Sequence, residues 1–232
     1  MKQMLFTEPA ALSAACEVLR GPLPVFMLEL PAVFALVTSP TRRGAAALDA
    51  VKRRLPGKTY GSLIGDLAAF RGLVRDAELP PALRAPGALK AFDGAFMRIQ
   101  VGPPEARTPA VVAGTHQGLL VSGAHRAFFT ALEAALRPLV EPDLFCGKVY
   151  SAALATSANW SGDPQGSITT WERAEPFARA RDLPLILRCA PEESAPGSFP
   201  IFQLRPSGIS QERSGPREAE VRARVEAMLG SG

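Results

Sequence analysis

The sequence predicts an α/β fold, a single domain built as a twisted mixed sheet flanked by helices, and three observations carry that prediction. Short apolar runs rich in Val, Leu, Ile and Phe recur along the chain, and segments of helical periodicity separate them. The alternation runs through nearly all of the 232 residues without an internal repeat. A composition of 47% hydrophobic and 21% charged residues is that of an ordinary globular chain, and the length accommodates one large domain or two small ones.

The elements follow in order. Thr7 before "EPAALSAACEVLRG" supplies an N-cap, a first-turn Pro and a terminal Gly, which predicts a helix over about 8–20. "LPVFMLEL" and "AVFALVT", meeting at Pro31, read as strands buried on both faces. The Ala-rich stretch 43–54 predicts a helix ending in cations that suit the negative end of its dipole. "YGSLIGD" is a short strand and "LAAFRGLVRD" a helix; "GAFMRIQVG" and "GLLVSG" are strands, and "RAFFTALEAALRPLV" returns to helical spacing. "YSAALATSAN" and "LPLILRC" read as strands on either side of the helix "TTWERAEPFARAR". A loop over 190–200 leads to the strand "IFQL" and to a final helix over about 216–229. The domain is expected to span 1–215, with 216–232 as a helical tail.

Several chemistries are excluded. "PGKTYG" imitates the end of a P-loop, but the Gly that the motif needs five residues before Gly57 is Lys52. Zincin, nucleophile-elbow and dinucleotide glycine motifs are absent from the sequence. Cys16, Cys146 and Cys189 stand far apart, which supports neither a disulfide framework nor a zinc site and fits a reducing compartment. No run approaches a membrane span, and Glu8 and Pro9 interrupt the apolar core a signal peptide needs, so a soluble, cytoplasmic protein is expected. His116 and His125, the only histidines, lack an acid and a nucleophile at recognisable spacing and read as structural or solvated.

Two features suit an anion. The net charge is +4, and six cations from Arg42 to Lys58 face one acid, Asp49. Such a cluster is either a solvated helix end or a grip on phosphates by charge-assisted hydrogen bonds. "LATSANWSGDPQG", following a buried strand, is either a polar turn or a backbone nest for an anion.

Together the two segments resemble the YrdC/YciO family. "ATSANWSG" is similar to its Ser/Ala-Thr-Ser-Ala-Asn-Leu-Ser-Gly signature, with Trp160 in place of Leu, and "KRRLPGK" resembles its Lys-x-Arg motif. "GSFPIF" and "ERSG" resemble the later elements more faintly. The resemblance implies a single-domain YrdC/RibB (DHBP synthase)-like mixed sheet around a concave, positive surface. It also implies ATP-dependent synthesis of threonylcarbamoyl-adenylate for tRNA modification. ATP, bicarbonate and a small amino acid would be substrates, with Mg²⁺ on the phosphates and no protein nucleophile. By the same resemblance, Lys52, Arg54, Lys58, Ser157, Asn159 and Arg213 would bind the nucleotide, and Ala155, Ser198, Ser122 and Arg98 the amino acid.

The chain also departs from the family. Leu30 and Ala32 stand where the family carries two threonines, and the strand expected to supply a carboxylate-binding Arg offers Ser122, with Arg98 on the preceding strand as a substitute. Two functions therefore stay open. One is a synthase-like enzyme with an altered amino-acid site; the other is a non-catalytic domain that binds nucleotide, tRNA or double-stranded RNA through its basic surface.

Overall fold

A computed structural model of the chain describes all residues except 54, 56, 57, 86, 190–195 and 231–232. Ten strands form one mixed sheet. They are β1 (Lys2–Leu5), β2 (Phe26–Glu29), β3 (Phe34–Thr38), β4 (Gly61–Leu63), β5 (Ala95–Gln100), β6 (Thr115–Leu120), β7 (Leu154–Ser157), β8 (Leu185–Arg188), β9 (Ile201–Arg205) and β10 (Gly208–Arg213). Their spatial order is β1-β8-β2-β3-β7-β4-β6-β5-β9-β10.

Among the described residues six α-helices cover the two faces: α1 (Ala11–Arg20), α2 (Arg42–Lys52), α3 (Leu67–Gly72), α4 (Gly123–Leu136), α5 (Trp171–Ala180) and α6 (Glu218–Leu229). On one face, Ala15 and Leu19 of α1 and Phe129 and Leu132 of α4 pack with Leu28, Ala35, Val37 and Leu63. On the other, Leu48 of α2, Phe70 of α3, Phe177 of α5 and Val221 of α6 pack with Met27, Leu36 and Met97. Successive residues of β3 alternate between the two cores, which is why "AVFALVT" is apolar throughout rather than at every second position. The helix expected as a C-terminal tail, α6, buries Val221 and Val225 in this second core.

Local chemistry sets the helix ends that matter. Thr41 Oγ1 accepts from Gly44 N at 2.9 Å and starts α2, and the Asp66 carboxylate accepts from Ala68 N and Ala69 N to start α3. Arg53 takes a left-handed conformation, φ 47°, and ends α2 immediately after Lys52.

The central strand is β7. It runs antiparallel to β3, with Ala35 opposite Ser157, and antiparallel to β4, with Gly61 opposite Ala155. The chain leaves β7 at Ser157 and enters the polar loop beside the end of α2.

Candidate functional site

A cavity of about 250 Å³ opens on the sheet face that carries α1 and α4. Its floor is apolar, formed by Ala35, Leu63, Leu119 and Ala155 from four strands, with Leu30, Val33, Phe96 and Phe199 as walls. Lys52, Lys58 and Arg213 also line it, and no Asp or Glu does so among the described residues. A concave site with three cations and no acid favours an anion.

Lys52 is the anchor of the polar side. Its side chain is buried, and Nζ donates to Asn159 Oδ1 at 2.7 Å and to the Ser157 carbonyl at 2.5 Å. Ser157 Oγ donates to Asn159 Oδ1 at 2.8 Å, and Asn159 Nδ2 donates to the Trp160 carbonyl at 2.8 Å. The backbone closes the junction: Ser161 N donates to the Lys52 carbonyl, and Leu55 N to Ser161 Oγ. The loop after β7 is thereby fixed to the C-terminal end of α2, where the ammonium also answers the helix dipole.

Trp160 gives this loop a second attachment. The Arg181 guanidinium lies 3.6 Å from the centroid of its ring and that of Arg53 5.1 Å, and Phe177 meets the ring edge-on at 5.5 Å. The Trp in the Leu position of the signature therefore packs against cations at the rim.

The remaining candidates divide. Ala155, Ser157, Asn159 and Ser198 line the cavity together with Lys52, Lys58 and Arg213. Arg213 donates through Nε and Nη2 to the Phe199 carbonyl, at 3.1 and 2.7 Å, and so braces one wall. Ser198 Oγ lies 2.9 Å from Ser167 Oγ. Arg54 falls outside the described residues. Ser122 is not in the cavity: it is exposed and precedes the first turn of α4, because the chain leaves β6 at Leu120. Arg98 also stays outside, held at 2.7 Å by Glu212 on β10 and donating at 2.7 Å to Gln117 Oε1. The basic cluster separates in the same way. The backbone N–H of Arg42 donates to Glu141 and the Arg43 guanidinium to the Gly21 carbonyl, Arg53 lies over Trp160, and Lys52 and Lys58 reach the cavity.

Sequence reasoning overlooked Thr59, Gly61, Leu63, Phe96, Gln117, Leu119 and Phe199, which also line the cavity. The available signal was strand alternation, since Phe96 lies two residues from Arg98 and shares its face. Gly61 has a specific role here, because a Cβ at that position would lie 2.8 Å from Phe96 Cε1 and 3.2 Å from Gln117 Cγ. Only glycine lets the Phe96 ring lie against β4.

The histidines belong to the core. His116 is fully buried; Nδ1 donates to the Ala110 carbonyl at 2.8 Å, so Nε2 accepts from Ser62 Oγ at 2.9 Å. Burial lowers its pKa to about 4. Among the described residues no cluster of His, Cys, Asp and Glu could hold a metal. The described residues of the cavity offer Mg²⁺ no carboxylate ligand and do not fit a protein-held cation. No helix among the described residues is long and apolar enough to cross a membrane.

Fold and site together define a mixed-sheet α/β domain whose cation-lined cavity, free of Asp and Glu among the described residues, lies against its central strands. The fold is that of the Sua5 and YciO structures. A Sua5 variant from P. abyssi superposes with a TM-score of 0.64 at 16% identity, over 92% of this chain and 60% of that one. E. coli YciO gives a TM-score of 0.61 at 15% identity, over 92% of this chain and 93% of its own. Full-length HypF in its phosphate- and nucleotide-bound form gives 0.55 at 13%, over 84% of this chain and 28% of its own, and P. abyssi Sua5 complexed with L-threonine gives 0.59 at 16%, over 85% and 52%. The chain thus spans less than two thirds of the length of the Sua5 and HypF structures. No protein-family model matches the sequence, and no curated protein does.

Proposed function

We propose that the chain is a divergent YrdC-like protein that binds ATP and forms an acyl- or carbamoyl-adenylate, in the manner of threonylcarbamoyl-adenylate synthases but with an altered acceptor site. The observation that carries this reading is the convergence of Lys52, Lys58 and Arg213 on one cavity beside Ser157 and Asn159, with no Asp or Glu in its lining among the described residues. The HypF and Sua5 neighbours, solved with nucleotide and with L-threonine, support it by analogy of fold.

The chemistry asks the protein for position and charge. An acceptor carboxylate or carbamate oxygen attacks the α-phosphorus of ATP and pyrophosphate leaves. The cations hold the phosphates and stabilise the charge that builds on them, and no protein nucleophile takes part. Lys58 and Arg213, exposed at the opening, are placed to meet the polyphosphate, while Lys52 fixes the loop against which it lies.

Calorimetric titration with a non-hydrolysable ATP analogue tests this. Binding by the native chain should weaken at least tenfold in Lys58→Ala and Arg213→Ala, and absence of binding to the native protein would overturn the reading.

A second reading, an RNA-binding domain without turnover, is favoured by the Arg53, Trp160 and Arg181 cluster at the rim, which could stack on a base and meet phosphates. It requires RNA affinity that falls steeply with salt and falls further in Trp160→Leu.

A further inference from the structure

The lining of the cavity is of two chemical kinds, one cationic and one apolar. Leu30, Val33, Leu63, Leu119 and Phe199 are each more than nine-tenths buried, and Phe96 lies among them. The polar groups beside them are already engaged. Gln117 Oε1 accepts from Arg98, and Ser198 Oγ pairs with Ser167 Oγ. The Arg98 guanidinium, tied to Glu212, stays outside.

This surface discriminates among acceptors. An N-carboxylated amino acid carries, beside the reacting carbamate, an α-carboxylate and, for threonine, a hydroxyl, and the apolar part of the lining offers neither group a partner among the described residues. A simple carboxylate has neither problem, because its charge faces the cations and its hydrocarbon covers the floor. Each methylene buried there strengthens binding about fourfold. The volume, about 250 Å³, is at the small end for ligand pockets and suits a compact group.

We propose that the acceptor is an apolar monocarboxylate with a hydrocarbon group of about four to six carbons, seated on Leu30, Val33, Leu63 and Leu119 between Phe96 and Phe199. The inference rests on the ATP reading above. The carboxylate oxygen forms the new bond to the α-phosphorus as the bond to the bridging oxygen of pyrophosphate breaks. Pyrophosphate departs with the electron pair, and no oxidant, reductant or further reactant is needed.

The test is pyrophosphate release from ATP with isovalerate, 4-methylvalerate or hexanoate, against L-threonine with bicarbonate. Isovalerate should give a kcat/KM at least tenfold above that for threonine with bicarbonate. Val33→Thr, which keeps the side-chain shape, and Leu30→Asn should each lower it at least tenfold, while binding of the ATP analogue stays within twofold and thermal melts confirm folding. Threonine with bicarbonate equalling or exceeding the carboxylates would overturn the inference and leave the ATP reading standing. No release with any acid from protein that binds the analogue would overturn the inference and the adenylate chemistry, leaving nucleotide binding. Failure of the native protein to bind the analogue would overturn the ATP reading itself.

Discussion

Lys52 Nζ lies 2.7 Å from Asn159 Oδ1, joining the last residue of α2 to the loop that leaves the central strand 107 residues later. The bond is charge-assisted and buried, and it draws together the two segments that the sequence marks as anion-binding candidates. Removing the ammonium in Lys52→Met would leave Asn159 Oδ1 and the Ser157 carbonyl without their cationic donor. A loss of about 1.5–3 kcal/mol of stability is expected. Lys58→Ala removes an exposed cation and should leave the urea midpoint nearly unchanged while weakening the ATP analogue. Paired denaturation and calorimetry on the two variants separate the anchor from the contact.

Gly61→Ala tests the apolar wall. The added methyl would meet the Phe96 ring at 2.8 Å, with the Gln117 side chain and carbonyl both at 3.2 Å, so the ring must move. Phe96 is partly exposed toward the cavity and has room to swing into it. A stability cost of roughly 1–3 kcal/mol is expected from overpacking. Acid-dependent pyrophosphate release should fall more than analogue binding does, which steady-state kinetics with isovalerate would detect.

Much of this arrangement is legible in the sequence, and the illegible parts have physical causes. β2, β3, β7 and β8 announce themselves because strands buried on both faces need unbroken apolar runs. β1 and β10 do not, because edge strands bury little: β1 buries Met4 alone, and every residue of "GISQER" is half-buried or exposed. Overlooking β10 matters for the site, since it carries both Glu212, which holds Arg98 outside the cavity, and Arg213, which braces the Phe199 wall. Ser122 reads as a strand residue because "GLLVSG" is apolar up to Val121, yet β6 ends at Leu120 and the Ser-Gly pair opens α4. Lys52 and Asn159 are legible as a pair only through the family resemblance, because spacing cannot bring together residues so distant in sequence.

The pH dependence of stability should show His116. Its folded pKa of about 4 lies below the ordinary value of 6.5, so the unfolded chain takes up the proton first. The contribution of the neutral ring is therefore complete above about pH 6.5 and is lost progressively as the pH falls toward 4. Linkage puts it on the order of 3 kcal/mol. Urea midpoints measured from pH 7.5 to 4 should fall over that window. In His116→Gln that component of the slope should disappear, whatever the absolute stability of the variant.

Arg213 and Ser122 provide the last contrast, because the family resemblance gives each a place in the site and the fold separates them. Arg213 lines the cavity and holds the Phe199 carbonyl through two donors, whereas Ser122 is exposed before α4. Arg213→Ala removes one of the three cations that line the cavity among the described residues and loosens the wall it braces. A charge-assisted contact of this kind is worth on the order of 1.5–3 kcal/mol, one to two decades in affinity. Screening at the exposed guanidinium puts the expected loss near the lower end, about tenfold. Lys in the same position should recover part of the affinity by charge, but it lacks the fork that spans the carbonyl and should not recover the wall. Ser122→Ala should leave ATP-analogue affinity within twofold of the native chain. Equal losses in both variants would mean that the ligand extends past Phe199 to the start of α4, and the acceptor end of the site would then have to be redrawn around Ser122.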